Sequence, residues 1–307
     1  MKILITGATG FVGKHLVSLL AEQGHQLLLA TRRQTTSSLA TVVIDNIDTF
    51  EHWDRHLQGI DVVIHLAAMV HQMNDKAEAN SYYQQTNFSA TSRLAESAVA
   101  CGVKRFIFLS TIKVHGEATA AGQTFTAADI PSPTEGYAES KFEAEMSLKR
   151  LSAASGLELV IIRPPLVYGP GVKANFLRLL DLGRSGFALP FAGLHNHRDM
   201  VSVDNLCDLI ACCIEDHRAA GNTFLVSDGI AYSTADIIAS TRSVLGLPRR
   251  LFYFPPWLLR WLLVLVGKKS LADRLLGSLQ VDISATEQTL NWSPKYTLEQ
   301  TLRKMLH

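Results

Sequence analysis

The stretch KILITGATGFVG at residues 2–13 limits the fold of this chain more than any other. Its first half, KILITG, reads as a buried strand, and a helical pattern follows over about Val12 to Gln23, closed by Gly24. Between them stand Gly7, Gly10 and Gly13, three residues apart. Glycine permits a tight turn and close backbone approach, and a helix N-terminus offers free N–H groups to a pyrophosphate. A glycine triplet alone is weak, but a strand before it and a helix after it supply the context that a dinucleotide site requires. Gly7, Gly10, Phe11, Val12 and Gly13 are therefore the expected cradle, against the plain alternative of a tight turn.

The rhythm that begins there continues. QLLLATR (26–32), TVVID (41–45), DVVIHLAA (61–68), RFIFLST (105–111) and LELVIIRPP (157–165) read as further strands, with helices around 82–101 and 136–155. Continuous apolar strands alternating with helices predict a Rossmann-like, doubly wound parallel α/β sheet covered on both faces. Ligands of such sheets lie beyond the carboxyl ends of the strands. After Pro165 the pattern breaks into loops and shorter elements. We therefore expect a dinucleotide-binding domain over 1–165 plus about 198–225, and a smaller C-terminal α/β substrate-binding lobe from 166–197 and 226–307.

Composition removes several classes of function. A formal net charge of +1 with scattered basic residues gives no reason to expect nucleic acid as a partner. Cys101, Cys207, Cys212 and Cys213 form no CxxC pair and no zinc spacing, so no metal is expected, and the thiols read as reduced and mostly buried in a cytoplasmic protein. MKILITGATG lacks the features of a signal peptide, and no apolar run is long enough to span a bilayer. FPPWLLRWLLVLVG (254–267) stands apart. It reads either as a core or subunit-interface helix started by Pro255 and Pro256, or as a weak contact with a membrane surface through its tryptophans and the Lys268–Lys269 pair.

An NAD site commonly carries an acidic residue at the end of the second strand to hold the ribose. Here that place reads Thr31, Arg32, Arg33, where guanidinium groups suit a 2′-phosphate. The cofactor is thus NAD or NADP, with Arg32 and Arg33 leaning towards NADP unless they are only solvated charges. Asp45, after the third strand, suits the adenine edge in either case. In YAESK, Tyr137 and Lys141 lie four apart and hence on one helical face. A tyrosine serves as a base near neutrality only if its phenolate is stabilised, and a neighbouring ammonium does that.

With these motifs assembled, the chain resembles the extended short-chain dehydrogenase/reductases of the nucleotide-sugar epimerase/dehydratase family. The resemblance runs from TGATGFVG through HLAA, TN (86–87), LSTIKVHG, YAESK, RPPLVYGPG and RDMVSVDNL to LNWSPKYTLEQTL. Within that family it is similar to the bacterial subgroup near UDP-glucose 4-epimerases that serves surface-polysaccharide pathways. The resemblance implies that Thr111 hydrogen-bonds the sugar 4-oxygen, Tyr137 transfers the proton, and Lys141 holds the nicotinamide ribose and lowers the tyrosine pKa. It places Ala67 beside the cofactor and Pro164, in RPPLVYGPG, near the nicotinamide. Asn175 and Arg198 would meet the diphosphate of a nucleotide-diphosphate sugar, with Arg274 a weaker candidate for the same charge. The plain reading of Arg198 is an ion pair with Asp199. A homodimer is likewise a family-level expectation.

Three readings stay open. Deprotonating a 4-hydroxyl while hydride leaves the same carbon gives a 4-ketone, and returning hydride to the other face completes a UDP-sugar 4-epimerase. If the ketone arrives from outside, the same residues make an NADPH-dependent 4-ketoreductase forming a UDP-6-deoxy-N-acetylhexosamine, of the UDP-N-acetylquinovosamine type. The third is a non-catalytic dinucleotide-binding protein. Family 4,6-dehydratases follow the Thr111 position with an Asp-Glu pair, which here is Ile112 and Lys113, so elimination is not expected. His115 replaces the family's usual tyrosine and reads as a locally packed strand-end residue, while Lys113 faces either solvent or substrate phosphate.

Overall fold

The computed structural model describes residues 1–34, 38–70, 76–173 and 175–306. Strand β1 (Lys2–Thr6) leads into α1 (Phe11–Glu22), followed by β2 (Gln26–Thr31), β3 (Ala40–Val43), the short α2 (Asp54–Leu57) and β4 (Val62–His65). Next come α3 (Lys76–Tyr83), a π-helical turn over Gln84–Ser89, α4 (Ala90–Ala100), β5 (Arg105–Leu109) and a 3-10 turn at Ile112–Val114. Helix α5 (Gly136–Ser155), β6 (Glu158–Arg163), β7 (Leu166–Tyr168), α6 (Asn175–Arg184), β8 (Met200–Ser202), α7 (Val203–Glu215) and β9 (Thr223–Leu225) carry the chain onward. Helices α8 (Thr234–Val244), α9 (Pro256–Leu265), α10 (Lys269–Leu276), α11 (Ser284–Leu290) and α12 (Leu298–Leu306) complete it.

Seven strands form one parallel sheet in the order β3-β2-β1-β4-β5-β6-β9, while β7 and β8 pair separately. Because strand side chains alternate, each strand feeds both faces of the sheet. Ile3, Ile5, Leu29, Ile64 and Ile162 pack with Leu16, Leu206, Leu209 and Ile210 of α1 and α7. Leu4, Val63, Phe106, Phe108 and Ile161 pack with Leu94, Ala98, Ala144 and Leu148 of α4 and α5. Each such buried side chain contributes roughly 1.5–3 kcal/mol, so the sheet is held from both sides. The strand order reverses between β1 and β4, which opens the ligand-binding crevice there.

The strands end a residue or more earlier than the apolar runs suggest, because their last residues turn out into the loops that face this crevice. The helix expected at 82–101 is longer and broken, running from α3 through the π turn into α4. Segment 198–225 contributes β8, α7 and the seventh strand β9. Two of the four cysteines, Cys207 and Cys213, are buried, and Cys101 and Cys212 are half-buried. No helix among the described residues is long and apolar enough to cross a membrane. A core position for the 254–267 segment does not hold, since no residue of α9 is buried.

Candidate active site

The glycine turn is built as its spacing predicts. Gly7 has a φ of +71°, and a Cβ there would lie 2.7 Å from the Ala67 nitrogen. A Cβ on Gly13 would lie 2.2 Å from the Gly7 carbonyl oxygen, so the helix must start with bare backbone. Gly10 caps α1 with no side-chain hydrogen bond, and Phe11, Val12 and Gly13 form the first turn, which holds no acidic residue. This cradle fits a pyrophosphate, and Ala67 closes its far side.

Below the cradle, a buried chain of polar groups joins β1, β4 and α4. The Ala67 N–H donates to Thr6 Oγ1 at 3.3 Å, and Thr6 Oγ1 lies 2.7 Å from His65 Nδ1. His65 Nε2 lies 2.8 Å from Thr91 Oγ1, whose own hydrogen goes to the Asn87 carbonyl. Nε2 must therefore donate, which in the neutral imidazole leaves Nδ1 to accept from Thr6 Oγ1. Burial first, and Lys141 second, hold the His65 pKa down to about 3.

Asn87, in the π turn, is fully buried. It accepts from the Met69 N–H at 2.8 Å and donates to the Met69 carbonyl and to Ser140 Oγ, both at 3.1 Å. Ser140 Oγ in turn donates to the Tyr137 carbonyl at 2.8 Å. The loop after β4 is thereby fastened to the first turn of α5, where Tyr137 sits. Tyr137 stacks edge-on against Tyr83 with ring centroids 6.0 Å apart. Burial, with Tyr83 beside it, pushes the Tyr137 phenol up to about 12. Lys141 is buried, with Nζ 3.9 Å from the centroid of Phe108. Burial draws its pKa down to about 7, against the pull of Glu145.

Thr111 is buried at the end of β5, and its Oγ1 accepts from the Lys113 N–H at 3.3 Å to cap the 3-10 turn. Ile112 hydrogen-bonds the Pro164 carbonyl through its N–H at 2.9 Å. Its side chain lies in an apolar cluster with Leu225, Leu279, Val281 and Ile283. Lys113 Nζ binds Glu117 at 2.9 Å and Glu135 at 2.8 Å, tying the Thr111 turn to the residue two before Tyr137. Burial works against that ammonium, but the two carboxylates outweigh it and raise its pKa, and the same contacts lower that of Glu135.

The profile of the NAD dependent epimerase/dehydratase family matches residues 3–227. The chain belongs to that family. Among its relatives, a UDP-glucose 4-epimerase of Vibrio cholerae is 42% identical over 306 residues, covering 98% of this chain and 93% of the relative. A UDP-glucuronic acid 4-epimerase of Bacillus cereus, solved with NAD, shares the fold at a TM-score of 0.79 and 22% identity, over 99% of this chain and 95% of that one. A Thermotoga maritima UDP-glucose 4-epimerase, solved with UDP-glucose, does so at a TM-score of 0.77 and 24% identity, over 99% and 97%.

Arg32 and Arg33 are exposed just after β2, where Thr31 Oγ1 donates to the Arg33 carbonyl at 2.8 Å, and Asp45 is exposed beyond β3. Asn175 opens α6, and its side chain falls outside the described residues. Arg198 does not pair with Asp199. Its Nη1 donates to the carbonyls of Arg274 at 3.0 Å and Gly277 at 3.2 Å, while Asp199 accepts from the Val281 N–H at 2.9 Å. Burial lowers the Arg198 pKa, with Glu117 opposing and Arg274 adding to the effect. No group of three or more potential metal ligands occurs among the described residues.

The sequence reading missed a second buried cluster behind the site. Glu145 accepts from Ser110 Oγ at 2.5 Å and takes both Nε and Nη2 of Arg163, at 3.0 and 2.5 Å. Arg163 Nη1 lies 2.8 Å from His115 Nε2. A guanidinium can only donate, so His115 accepts and is neutral, its ring stacked 5.3 Å from Phe125. Burial and then Arg163 hold its pKa down to about 4. The available signal was spacing: Glu145 lies one helical turn beyond Lys141, on the face that carries Tyr137 and Lys141.

Proposed function

We propose that this chain is a UDP-sugar 4-epimerase acting on a UDP-hexose or UDP-N-acetylhexosamine through a 4-keto intermediate. The observation that carries the reading is its likeness, over nearly its full length, to a UDP-glucose 4-epimerase. A nicotinamide dinucleotide held on Gly7, Gly10, Phe11, Val12, Gly13 and Ala67 supplies the hydride acceptor and donor. Tyr137 Oη, as phenolate, takes the proton of the 4-hydroxyl as that carbon is oxidised, and returns it when the carbon is reduced on its other face. Lys141 Nζ favours the phenolate by its charge and holds the nicotinamide ribose, with Pro164 passing the nicotinamide ring. Thr111 Oγ1 keeps the 4-oxygen in line. Asn175 and Arg274, from the smaller lobe formed by 166–197 and 226–307, meet the diphosphate together with Arg198, at the start of the 198–225 segment.

Elimination needs an acid and a base beyond the tyrosine. Ile112 lies in an apolar cluster, Glu117 and Glu135 bind Lys113, and Glu145 is paired with Arg163. This supports a reaction without a dehydratase step. The two exposed guanidinium groups at Arg32 and Arg33 favour a second reading, a 4-ketoreductase drawing on NADPH to form a UDP-6-deoxy-N-acetylhexosamine. Purified protein is to be denatured, its released nucleotide identified, and the native enzyme offered UDP-glucose and UDP-N-acetylglucosamine without added cofactor. The expected result is a bound dinucleotide and a mixture of C4 epimers, with turnover falling about 10²–10⁴-fold in Tyr137→Phe. Oxidation of NADPH solely in the presence of a UDP-4-keto-6-deoxy sugar, with no epimer formed, would overturn the epimerase in favour of the reductase.

A further inference from the structure

Helix α9 has a side-chain pattern that neither the sheet nor the site accounts for. It is nearly all apolar, yet none of its residues is buried. Trp257 is 71% exposed, Trp261 57%, Leu265 67% and Val266 64%. Its anchor is Leu259, which packs against Leu189, Phe191, Leu194 and Ile238. Phe252 and Tyr253, also exposed, carry the apolar face back along the segment that pairs with residues 189–192. Isolated exposed apolar residues are ordinary, but a contiguous patch of this kind marks an interaction surface.

The charge around the patch identifies its occupant. Residues 249–277 hold six basic side chains (Arg249, Arg250, Arg260, Lys268, Lys269 and Arg274) against one carboxylate, Asp273. The whole chain has a formal net charge of +1, so this segment carries +5 and the remainder −4. Asp273 binds Arg260 at 2.8 Å, while Lys268 and Lys269 stand exposed at the end of the helix. Tryptophans beside basic residues suit the boundary between headgroups and acyl chains. A second copy of the chain fits less well, because a two-fold contact would set two such basic rims face to face. Ten residues of helix measure about 15 Å, half of the roughly 30 Å hydrocarbon layer, so α9 can only lie flat on a bilayer.

We propose that α9 and the preceding Phe252–Tyr253 segment dock this enzyme on an anionic phospholipid surface, with Trp257 and Trp261 entering the headgroup boundary and Lys268 and Lys269 meeting the lipid phosphates. Helix α10 follows directly, and its Arg274 carbonyl holds Arg198, so the docked face adjoins the crevice. The test uses the full chain with vesicles of phosphatidylcholine alone or mixed with phosphatidylglycerol. The protein is expected to sediment with the mixed vesicles, less so in high salt, and to stay in solution with the neutral ones. Trp53 and Trp292 are already buried, so a blue shift of tryptophan emission on binding reports α9. Lys268→Gln and Lys269→Gln are each expected to weaken partition about fivefold at low salt. Trp257→Ser/Trp261→Ser should abolish the shift and the sedimentation while leaving turnover of soluble nucleotide sugar unchanged, which also shows that the variant folds. Wild-type protein that stays in solution with both vesicles overturns the proposal, as does a tryptophan variant that binds like wild type. So does a self-association that the tryptophan variant loses while neither protein binds vesicles, since the face then belongs to a second copy.

Discussion

Burial shifts both Tyr137 and Lys141. Burial lifts the tyrosine to about 12 and draws the lysine to about 7, so neither ordinary value applies in this crevice. They share one face of α5, and if Lys141 serves the tyrosine as proposed, the loss of one proton leaves either a neutral lysine or a phenolate beside an ammonium. In the proposed reaction the second of these forms is the base for the 4-hydroxyl. The kcat/KM for oxidation of the 4-hydroxyl should therefore rise as pH rises through about 7 and then stay level, and Lys141→Met should move that rise up towards the tyrosine's own range. A profile that falls above pH 7 in the wild type, or one unchanged in the variant, would break the pairing. At Gly13 the argument is steric. Alanine would put a Cβ 2.2 Å from the Gly7 carbonyl oxygen and 2.8 Å from Ala8 backbone atoms. Gly13→Ala should thus open the turn and lose copurifying dinucleotide, measured by release after denaturation, while its far-UV circular dichroism stays native. The spacing of YAESK and of the glycines makes both positions legible in the sequence. The size of the lysine shift is not, because it comes from burial beneath elements that meet only in the fold.

At the scale of elements, β5, α5 and β6 are bolted together by charge rather than by apolar contact alone. Glu145 from α5 and Arg163 from β6 meet in a two-pronged pair with almost no solvent exposure, and Ser110 and His115 occupy their remaining valences. A buried pair of this kind adds little over apolar packing, but removing one partner strands the other charge. Glu145→Gln should cost about 3–5 kcal/mol, read from denaturant unfolding, and Arg163→Met should cost a similar amount. If either costs less than about 1 kcal/mol, the pair is not the bolt described. Helical periodicity reveals that Glu145 shares a face with Lys141, but nothing in a sequence tells that Arg163, eighteen residues on, turns its guanidinium towards that face. The π turn around Asn87 is hidden for a similar reason: the sequence reads as one helix around 82–101, and the extra residue per turn appears only once Asn87 reaches Met69 and Ser140. Helix α9 shows the converse. Its apolarity leaves core, subunit interface and membrane surface all open, and its lack of burial emerges only when the neighbouring elements are in place.

Across the whole molecule, buried neutral histidines set the response to acid. His65 links β1, β4 and α4 on one side of the site, and His115 closes the Glu145–Arg163 cluster on the other. Their pKa values in the fold, about 3 and about 4, lie below the 6.5 of an unfolded chain. Between pH 6.5 and 4 the unfolded chain therefore binds protons that the native protein does not, so stability falls as pH falls through that window and is flat above it. Asp199 and Asp228, whose pKa values burial raises, bind protons more readily folded than unfolded and oppose part of that loss. Two silent histidines correspond to a slope of about 2.7 kcal/mol per pH unit, and the accumulated loss, on the order of 5 kcal/mol, matches the whole stability of many domains. Acid unfolding is thus expected near pH 4 to 5, with no change of turnover-competent structure above pH 6.5. His115→Gln keeps an amide oxygen able to accept from Arg163 but cannot take up a proton, so denaturant unfolding at a series of pH values should give about half the wild-type slope between 6.5 and 4. An unchanged slope would mean that His115 is already protonated in the native state, and that Arg163 does not hold it neutral.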